Sequence, residues 1–167
     1  MTKKIWQASL NRKKNSILFN FEKYVSEKFN KNFNGDYKKI LNWSIKNSPE
    51  FWSTFWNFSK IKGIKGSKKI KKSRIFYKNK FLPKSKLNFA ENLLSKNNNE
   101  KAITFLSENN YREERTWTKL NGNTSKLIQF LKDKKIKKKD RVVAYMPNTI
   151  ETVEAFLATS SIGAIWS

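Results

Sequence analysis

Cysteine and histidine are both absent from the 167 residues. Without them there is no disulfide framework, no thiolate nucleophile, no Cys/His zinc site, and no Ser-His-Asp or Cys-His pair. Any catalysis would fall to carboxylates, lysine, tyrosine, hydroxyls or a bound cofactor. Glycine (5) and proline (3) are scarce, and arginine contributes only 5 of the 36 basic side chains. No apolar run reaches the roughly 18 residues that a membrane span requires. Met1-Thr2-Lys3-Lys4 is basic, but Gln7, Asn11, Arg12, Lys13, Lys14 and Asn15 interrupt the apolar residues after it. A signal peptide is therefore not expected, nor a membrane span, and the chain reads as cytoplasmic.

What is present in excess is lysine. Lys plus Arg is 36 and Asp plus Glu is 13, a formal charge of +23. One reading is a polyanionic partner. The other is compositional: 31 Lys and 20 Asn against 5 Arg and 5 Gly is the signature of AT-rich coding. Phosphate-binding surfaces draw on arginine for its bidentate fork. The compositional reading is the stronger, and no specific nucleic acid is expected as a partner. Apolar residues reach only 38%, but 6 Trp, 13 Phe and 5 Tyr argue for a folded core rather than a disordered polycation. The length fits one domain, two at most.

Along the chain, Ile17, Phe21, Tyr24, Val25 and Phe29 share one helical face over residues 16–30, with Ser16 as N-cap. Asn30 to Gly35 breaks the pattern. Asp36 opens a second helix carrying Tyr37, Ile40, Leu41 and Ile45. Ser48-Pro49 reads as N-cap and first turn of a third. Phe51, Trp52, Phe55 and Trp56 give that helix a broad aromatic face, which core packing explains better than a ligand cage. Residues 60–86 hold 12 Lys or Arg and no acid, a basic connector with one short strand at Ile75 to Tyr77. Gly63-Ile-Lys-Gly66-Ser67-Lys68 fails the spacing of a phosphate-binding Walker loop.

Leu87 to Leu94 is a short helical segment. Ala102–Leu106 and Tyr111–Thr116 form an antiparallel hairpin turning at Glu108-Asn109-Asn110. Trp117, Leu120, Thr124, Leu127, Ile128 and Leu131 mark the best-defined helix. Arg141 to Met146 reads as a buried strand stopped by Pro147. Asn148 with Glu151 reads as a capping box for a helix ended by Gly163, and Ala164-Ile165-Trp166 begins another strand. This alternation predicts an α/β fold with a mostly parallel sheet. Such sheets are covered on both faces, so a chain stopping on a short strand reads as truncated. The expected organisation is a helical extension over 1–60, a basic connector with a short helix over 61–100, and an incomplete α/β domain over 101–167.

Several blocks, in order, resemble the acyl-CoA synthetases of the adenylate-forming, AMP-binding superfamily. They are Asn88-Phe89-Ala90-Glu91-Asn92-Leu93-Leu94, preceded by Phe81-Leu82-Pro83 and Leu87, and Asp140-Arg141-Val142-Val143-Ala144-Tyr145-Met146-Pro147-Asn148 with the Glu151 helix behind it. Within the family, three features resemble the acetoacetate-activating branch rather than the acetate-activating one. These are Ala90 to Leu94, Gly163-Ala164-Ile165-Trp166-Ser167, and the pattern Tyr37…Leu41-Asn42-Trp43-Ser44-Ile45…Phe51-Trp52…Trp56-Asn57-Phe58. Ile5-Trp6 is a weaker match. The connector is more basic than the family pattern.

The resemblance implies a helical N-terminal extension followed by the first βαβ units of a large adenylation lobe. It implies a ligase that uses ATP, Mg²⁺ and coenzyme A to make an acyl-adenylate and then a thioester from acetoacetate or a similar short acid. The family's phosphate loop, ribose-binding acid and C-terminal lysine lie beyond the Gly163 block, so the resemblance assigns no catalytic, cofactor-binding or metal residue within this chain. The residues agree. Asn121-Gly-Asn-Thr-Ser-Lys126 lies inside a helical pattern rather than in a phosphate loop. Glu113-Glu114, beside Arg112 and Arg115, reads as surface charge pairing. The alternative function is a small basic nucleic-acid-binding protein. Against it, the cations lie on connectors and helix backs and the aromatics on apolar helical faces, which makes no basic groove with exposed platforms.

Overall fold

A computed structural model of the chain describes residues 5–67 and 70–167. Met1 to Lys4 and Lys68, which figured in the leader and phosphate-loop readings, lie outside the described residues. The chain divides into two units, Met1–Lys86 and Leu87–Ser167.

The first unit is helical: α1 (Leu10–Lys14), α2 (Ile17–Phe29), α3 (Tyr37–Lys46) and α4 (Ser48–Phe58). Helices α1 to α3 each begin where a short polar side chain can take over an orphan amide. Ser16 accepts from the Phe19 amide and Asp36 from those of Lys38 and Lys39. Helix α1, capped by Ser9, is not foreshadowed by any apolar periodicity. Asn47, not Ser48, is the N-cap of α4, and Pro49 sits in its first turn. Asn30 closes α2 in the left-handed region at φ 49°, which asparagine tolerates.

Of the aromatic face read on α4, Phe51 packs on the core, while Trp52 and Phe55 remain 37% and 39% exposed. Phe21, Val25, Phe33, Ile40 and Trp43 form the buried core, with Phe29, Phe51 and Phe58 against it. Phe21 meets Phe51 at 5.8 Å and Phe58 at 5.1 Å, both edge-on. Such pairs add about 0.5–1.5 kcal/mol each beyond area burial. The connector is held by backbone bridges between Ile64 and Lys86 and between Lys71 and Lys80. The strand expected at Ile75 to Tyr77 is instead a 3₁₀ turn, Phe76–Lys78. The Ser73 amide donates to Asn79 Oδ1 at 2.7 Å, which closes the chain into a loop too tight for an extended segment.

The second unit contains α5 (Phe89–Leu93), β1 (Lys101–Leu106), β2 (Arg112–Thr116), α6 (Trp117–Asp133), β3 (Arg141–Val142), α7 (Ile150–Ser161) and β4 (Ile165–Trp166). Strands β1 and β2 pair antiparallel as expected, Thr104 facing Glu114. They form a sheet of their own. The parallel arrangement is confined to β3–α7–β4, with Arg141 opposite Ile165 and Val142 opposite Trp166. Ala90, Leu120 and Leu157 form the buried centre, where α5, α6 and α7 meet.

Two features differ from the sequence expectation. The strand read over Arg141 to Met146 is regular only at Arg141–Val142, and it is not buried: Val143 is 75% exposed and Tyr145 fully exposed. The parallel ladder does extend loosely through the Ala144 amide, which donates to Ser167 at 3.0 Å. The capping box at Asn148 does not form. Thr149 is the N-cap of α7, and Thr152 Oγ1 donates back to the Pro147 carbonyl at 2.6 Å.

Candidate functional site

Two small polar clusters organise the second unit. The first is Asn88. Its Oδ1 accepts from the Glu91 amide and so caps α5, while its Nδ2 donates to the carbonyls of Ser160 and Ser161, each at 3.0 Å. Those carbonyls end α7 and have no partner within the helix. One amide side chain thus ties the start of one helix to the end of another, a task that needs a donor and an acceptor on the same group.

The second cluster is built on Arg115, at 8% exposure the most buried basic residue described. It projects from β2 toward α7. Its Nη1 lies 3.0 Å from Glu113, its Nη2 3.1 Å from Glu151, and its Nε 2.9 Å from Glu154. The Nε–H is poorly aligned on Glu154, so that contact is coulombic rather than a formed hydrogen bond. Glu154 is itself buried at 4% exposure and also accepts from Asn123 Nδ2 of α6 at 2.9 Å. Three elements therefore converge on one cluster. Only arginine offers donors in a fixed fork to three carboxylates; lysine is a single point charge.

The surrounding electrostatics follow from these contacts. The Glu151 carboxyl is held below its usual range, first by its own backbone amide, then by the Thr149 hydroxyl and the charge of Arg115. Glu114 points the other way, onto the surface. It is lowered by hydrogen bonds from Lys101 at 2.7 Å and Arg112 at 2.6 Å. Tyr111 donates to Glu113 Oε2 at 3.2 Å, which raises its phenol. The reading of residues 112–115 as surface pairing therefore holds for Arg112 and Glu114. It fails for Arg115, which is interior. The sequence did carry a signal: Glu151 and Glu154 lie three apart, on one face of their helix.

Both clusters are made of contacts internal to the second unit. The three carboxylates are committed to arginine, and among the described residues no group of three acids is placed to hold a metal ion. The cluster Asn121 to Lys126 lies wholly within α6. At the other glycine pair, the Gly66 amide donates to Ser85 Oγ at 2.9 Å. A Cβ on Gly66 would collide with the backbone of Pro83, Lys84 and Ser85. Glycine is there because two backbones touch, not because a phosphate does.

The comparisons with known proteins agree with one another. Residues 90–167 match the AMP-binding enzyme family. The acetoacetyl-coenzyme A synthetase of Rhizobium meliloti (strain 1021) is 34% identical over 163 residues, which is 98% of this chain and 25% of that protein. The acetoacetyl-CoA synthetase of Xenopus tropicalis is 35% identical over 146 residues, 79% of this chain and 20% of its own length. In structure, the acetoacetyl-CoA synthetase from Streptomyces lividans superposes with a TM-score of 0.86 at 23% identity, over 99% of this chain and 26% of that one. That last likeness is one of fold. The chain spans about a quarter of the length of the curated relatives it matches. Residues 90–167 thus match the AMP-binding enzyme family, and nearly the whole chain is similar to a part of acetoacetyl-CoA synthetases.

Proposed function

We infer that the chain is the opening portion of an ATP-dependent acid–CoA ligase acting on acetoacetate in the cytoplasm, within lipid metabolism. The reaction is ATP + acetoacetate + CoA to AMP + diphosphate + acetoacetyl-CoA, with Mg²⁺ as the accompanying ion. The observation that carries this reading is similarity at 34% identity over 98% of the chain to a protein of that name. On this reading the chain's own contribution is scaffolding. The helical unit is the N-terminal extension, and residues from about 101 onward begin the adenylation lobe. The Arg115 cluster and Asn88 hold the first and last turns of α7, and β3 and β4 hold the sheet that α7 covers. In open α/β sheets ligands sit beyond the carboxyl ends of the strands. The connection from Val143 to Thr149 leaves that end of β3, so the two clusters set the position of a rim whose reacting groups come from elsewhere.

Grafting tests this. The corresponding quarter of the Rhizobium meliloti enzyme is replaced by this chain, and acetoacetate-dependent ATP–pyrophosphate exchange is measured. Exchange within about tenfold of the parent is expected, a loss of no more than about 1.4 kcal/mol in transition-state stabilisation. A soluble, cooperatively folded graft with no exchange would contradict the reading.

A further inference from the structure

The expectation that no basic groove carries exposed aromatic platforms fails at one loop. Residues 71–80 leave and rejoin the first unit at a closed backbone pair: Lys71 and Lys80 exchange both amide-to-carbonyl bonds at 2.9 Å. Inside this gate the Ser73 amide is held by Asn79 Oδ1 at 2.7 Å, and the Ile75 amide by Ser73 Oγ at 3.2 Å. The loop is therefore pinned through its own backbone. Its tip presents two adjacent aromatic rings to solvent, Phe76 at 87% and Tyr77 at 80% exposure. Most other aromatics of this unit pack on one another, as Trp52 does on Phe81. These two have no ring partner among the described contacts.

The charge of the loop is of one sign. Lys71, Lys72, Arg74, Lys78 and Lys80 face no acid within it, and the sequence has no Asp or Glu from Lys60 to Lys86. No carboxylate reaches any of the five among the described ion pairs. Lys71, Lys72, Ser73, Tyr77, Lys78 and Lys80 line a cleft of about 510 Å³. Cations around a concavity with an aromatic wall are the two parts of a single-strand binding surface. The cations track the phosphates, and the rings take the unstacked bases.

We propose that the Lys71–Lys80 loop binds single-stranded nucleic acid without sequence preference. Duplexes fit it poorly, because their base faces are already stacked and only the charge can act. An anionic lipid surface fits less well too. A membrane anchor needs its apolar tip to stand clear of the cationic collar. Here Lys78 comes directly after Tyr77 in the turn, so a cation sits at the tip beside the two rings, and Tyr77 also lines the cleft. The proposal is independent of the ligase reading and places no nucleic acid in that reaction.

The salt dependence is set by the cations. If all five contact phosphates, the slope of log K against log salt on a single strand is about −3.5, so affinity falls about a hundredfold between 50 and 200 mM salt. The test is fluorescence anisotropy of the full chain with labelled dT15, a 15-base-pair duplex of mixed sequence, and phosphatidylserine-containing vesicles, each at 50 and 200 mM salt. The decisive variant is Phe76→Ala/Tyr77→Ala. It keeps every charge and, since both side chains are exposed, leaves the fold in place, which circular dichroism checks. The proposal expects dT15 to bind more tightly than the duplex at both salts and the double variant to lose about tenfold or more on dT15 alone, the order expected for losing at least one stacked base. Lys72→Gln/Lys78→Gln should flatten the slope by about 1.4. Equal affinity for single strand and duplex, unmoved by the aromatic substitutions, would reduce the effect to bulk charge and overturn the proposal. Vesicle binding that needs the two rings, with no preference for dT15, would overturn it in favour of a lipid surface.

Discussion

Replacing Arg115 by methionine removes the one cation on which Glu113, Glu151 and Glu154 converge. The three carboxylates do not respond alike. Glu113 and Glu151 have side chains 31% and 54% exposed, so water can solvate them once the guanidinium is gone. Glu154, at 5%, cannot reach water and keeps only the Asn123 amide. Breaking a buried pair from one side typically costs about 3–5 kcal/mol. With one of three partners truly stranded, the lower end applies, about 3 kcal/mol. Arg115→Lys keeps the charge but loses the fork and should cost about 1–2 kcal/mol. Arg115→Met/Glu154→Leu removes the stranded charge and should recover at least half of the loss, since apolar replacements of buried pairs are often neutral. Urea unfolding followed by circular dichroism measures all three, and hydrogen exchange over residues 150–161 localises the effect to α7. A cost below about 1 kcal/mol for Arg115→Met, or a double variant no better than the single one, would mean that Glu154 is not stranded by the loss of the guanidinium.

Other outcomes rest on the same kinds of contact. Asn88→Ala removes the α5 cap and both bonds to the end of α7 and should cost about 2 kcal/mol, with faster exchange of the amides near Ser160 and Ser161. Gly66→Ala must displace backbone, so it should cost about 2 kcal/mol or more, against about 1 kcal/mol for Gly35→Ala, where φ is +69° but the space is open; urea unfolding compares the two. Glu151 and Glu114 have lowered carboxyl pKa values in the fold, so their stabilisation is complete above the unfolded value of about 4.3 and is lost as pH falls through the depressed values. Thermal melts from about pH 6.5 down to about pH 3 should show the chain losing stability, and Glu151→Gln should make the decline shallower. Tyr111 is raised, so its contribution is lost as pH climbs past about 10, and Tyr111→Phe should flatten the alkaline limb.

Much of the fold was legible because local chemistry and tertiary packing agree. Ser16 and Asp36 cap the helices they announce, and the apolar spacing of Phe21, Val25 and Phe29 becomes one wall of the aromatic core, though Ile17 at its start stays exposed. The failures have physical causes. Ile75-Phe76-Tyr77 has strand propensity but no partner strand, and the Asn79 side chain turns the loop before it can extend. Val143-Ala144-Tyr145-Met146 reads as buried because its residues suit a covered sheet, yet in this chain only β4 pairs beside it. The Asn148 capping box gave way to a helix that starts one residue later, with Thr149 at its N-cap and the Thr152 hydroxyl donating to the Pro147 carbonyl. Arg115 was hidden by composition: in a chain of 36 cations a single interior one has no local mark. What picks it out is the burial of its side chain together with the pair Glu151 and Glu154.

If this chain scaffolds a ligase whose reacting groups lie outside it, the 167-residue chain by itself should be inert. The decisive assay is ATP–pyrophosphate exchange with acetoacetate, run on that chain alone. The expected signal is indistinguishable from the no-enzyme blank at every ATP and Mg²⁺ concentration tried. Exchange clearly above the blank, dependent on acetoacetate, would contradict the scaffolding role. It would place a nucleotide site among residues that, in the fold described, have no phosphate loop and no free cluster of acids.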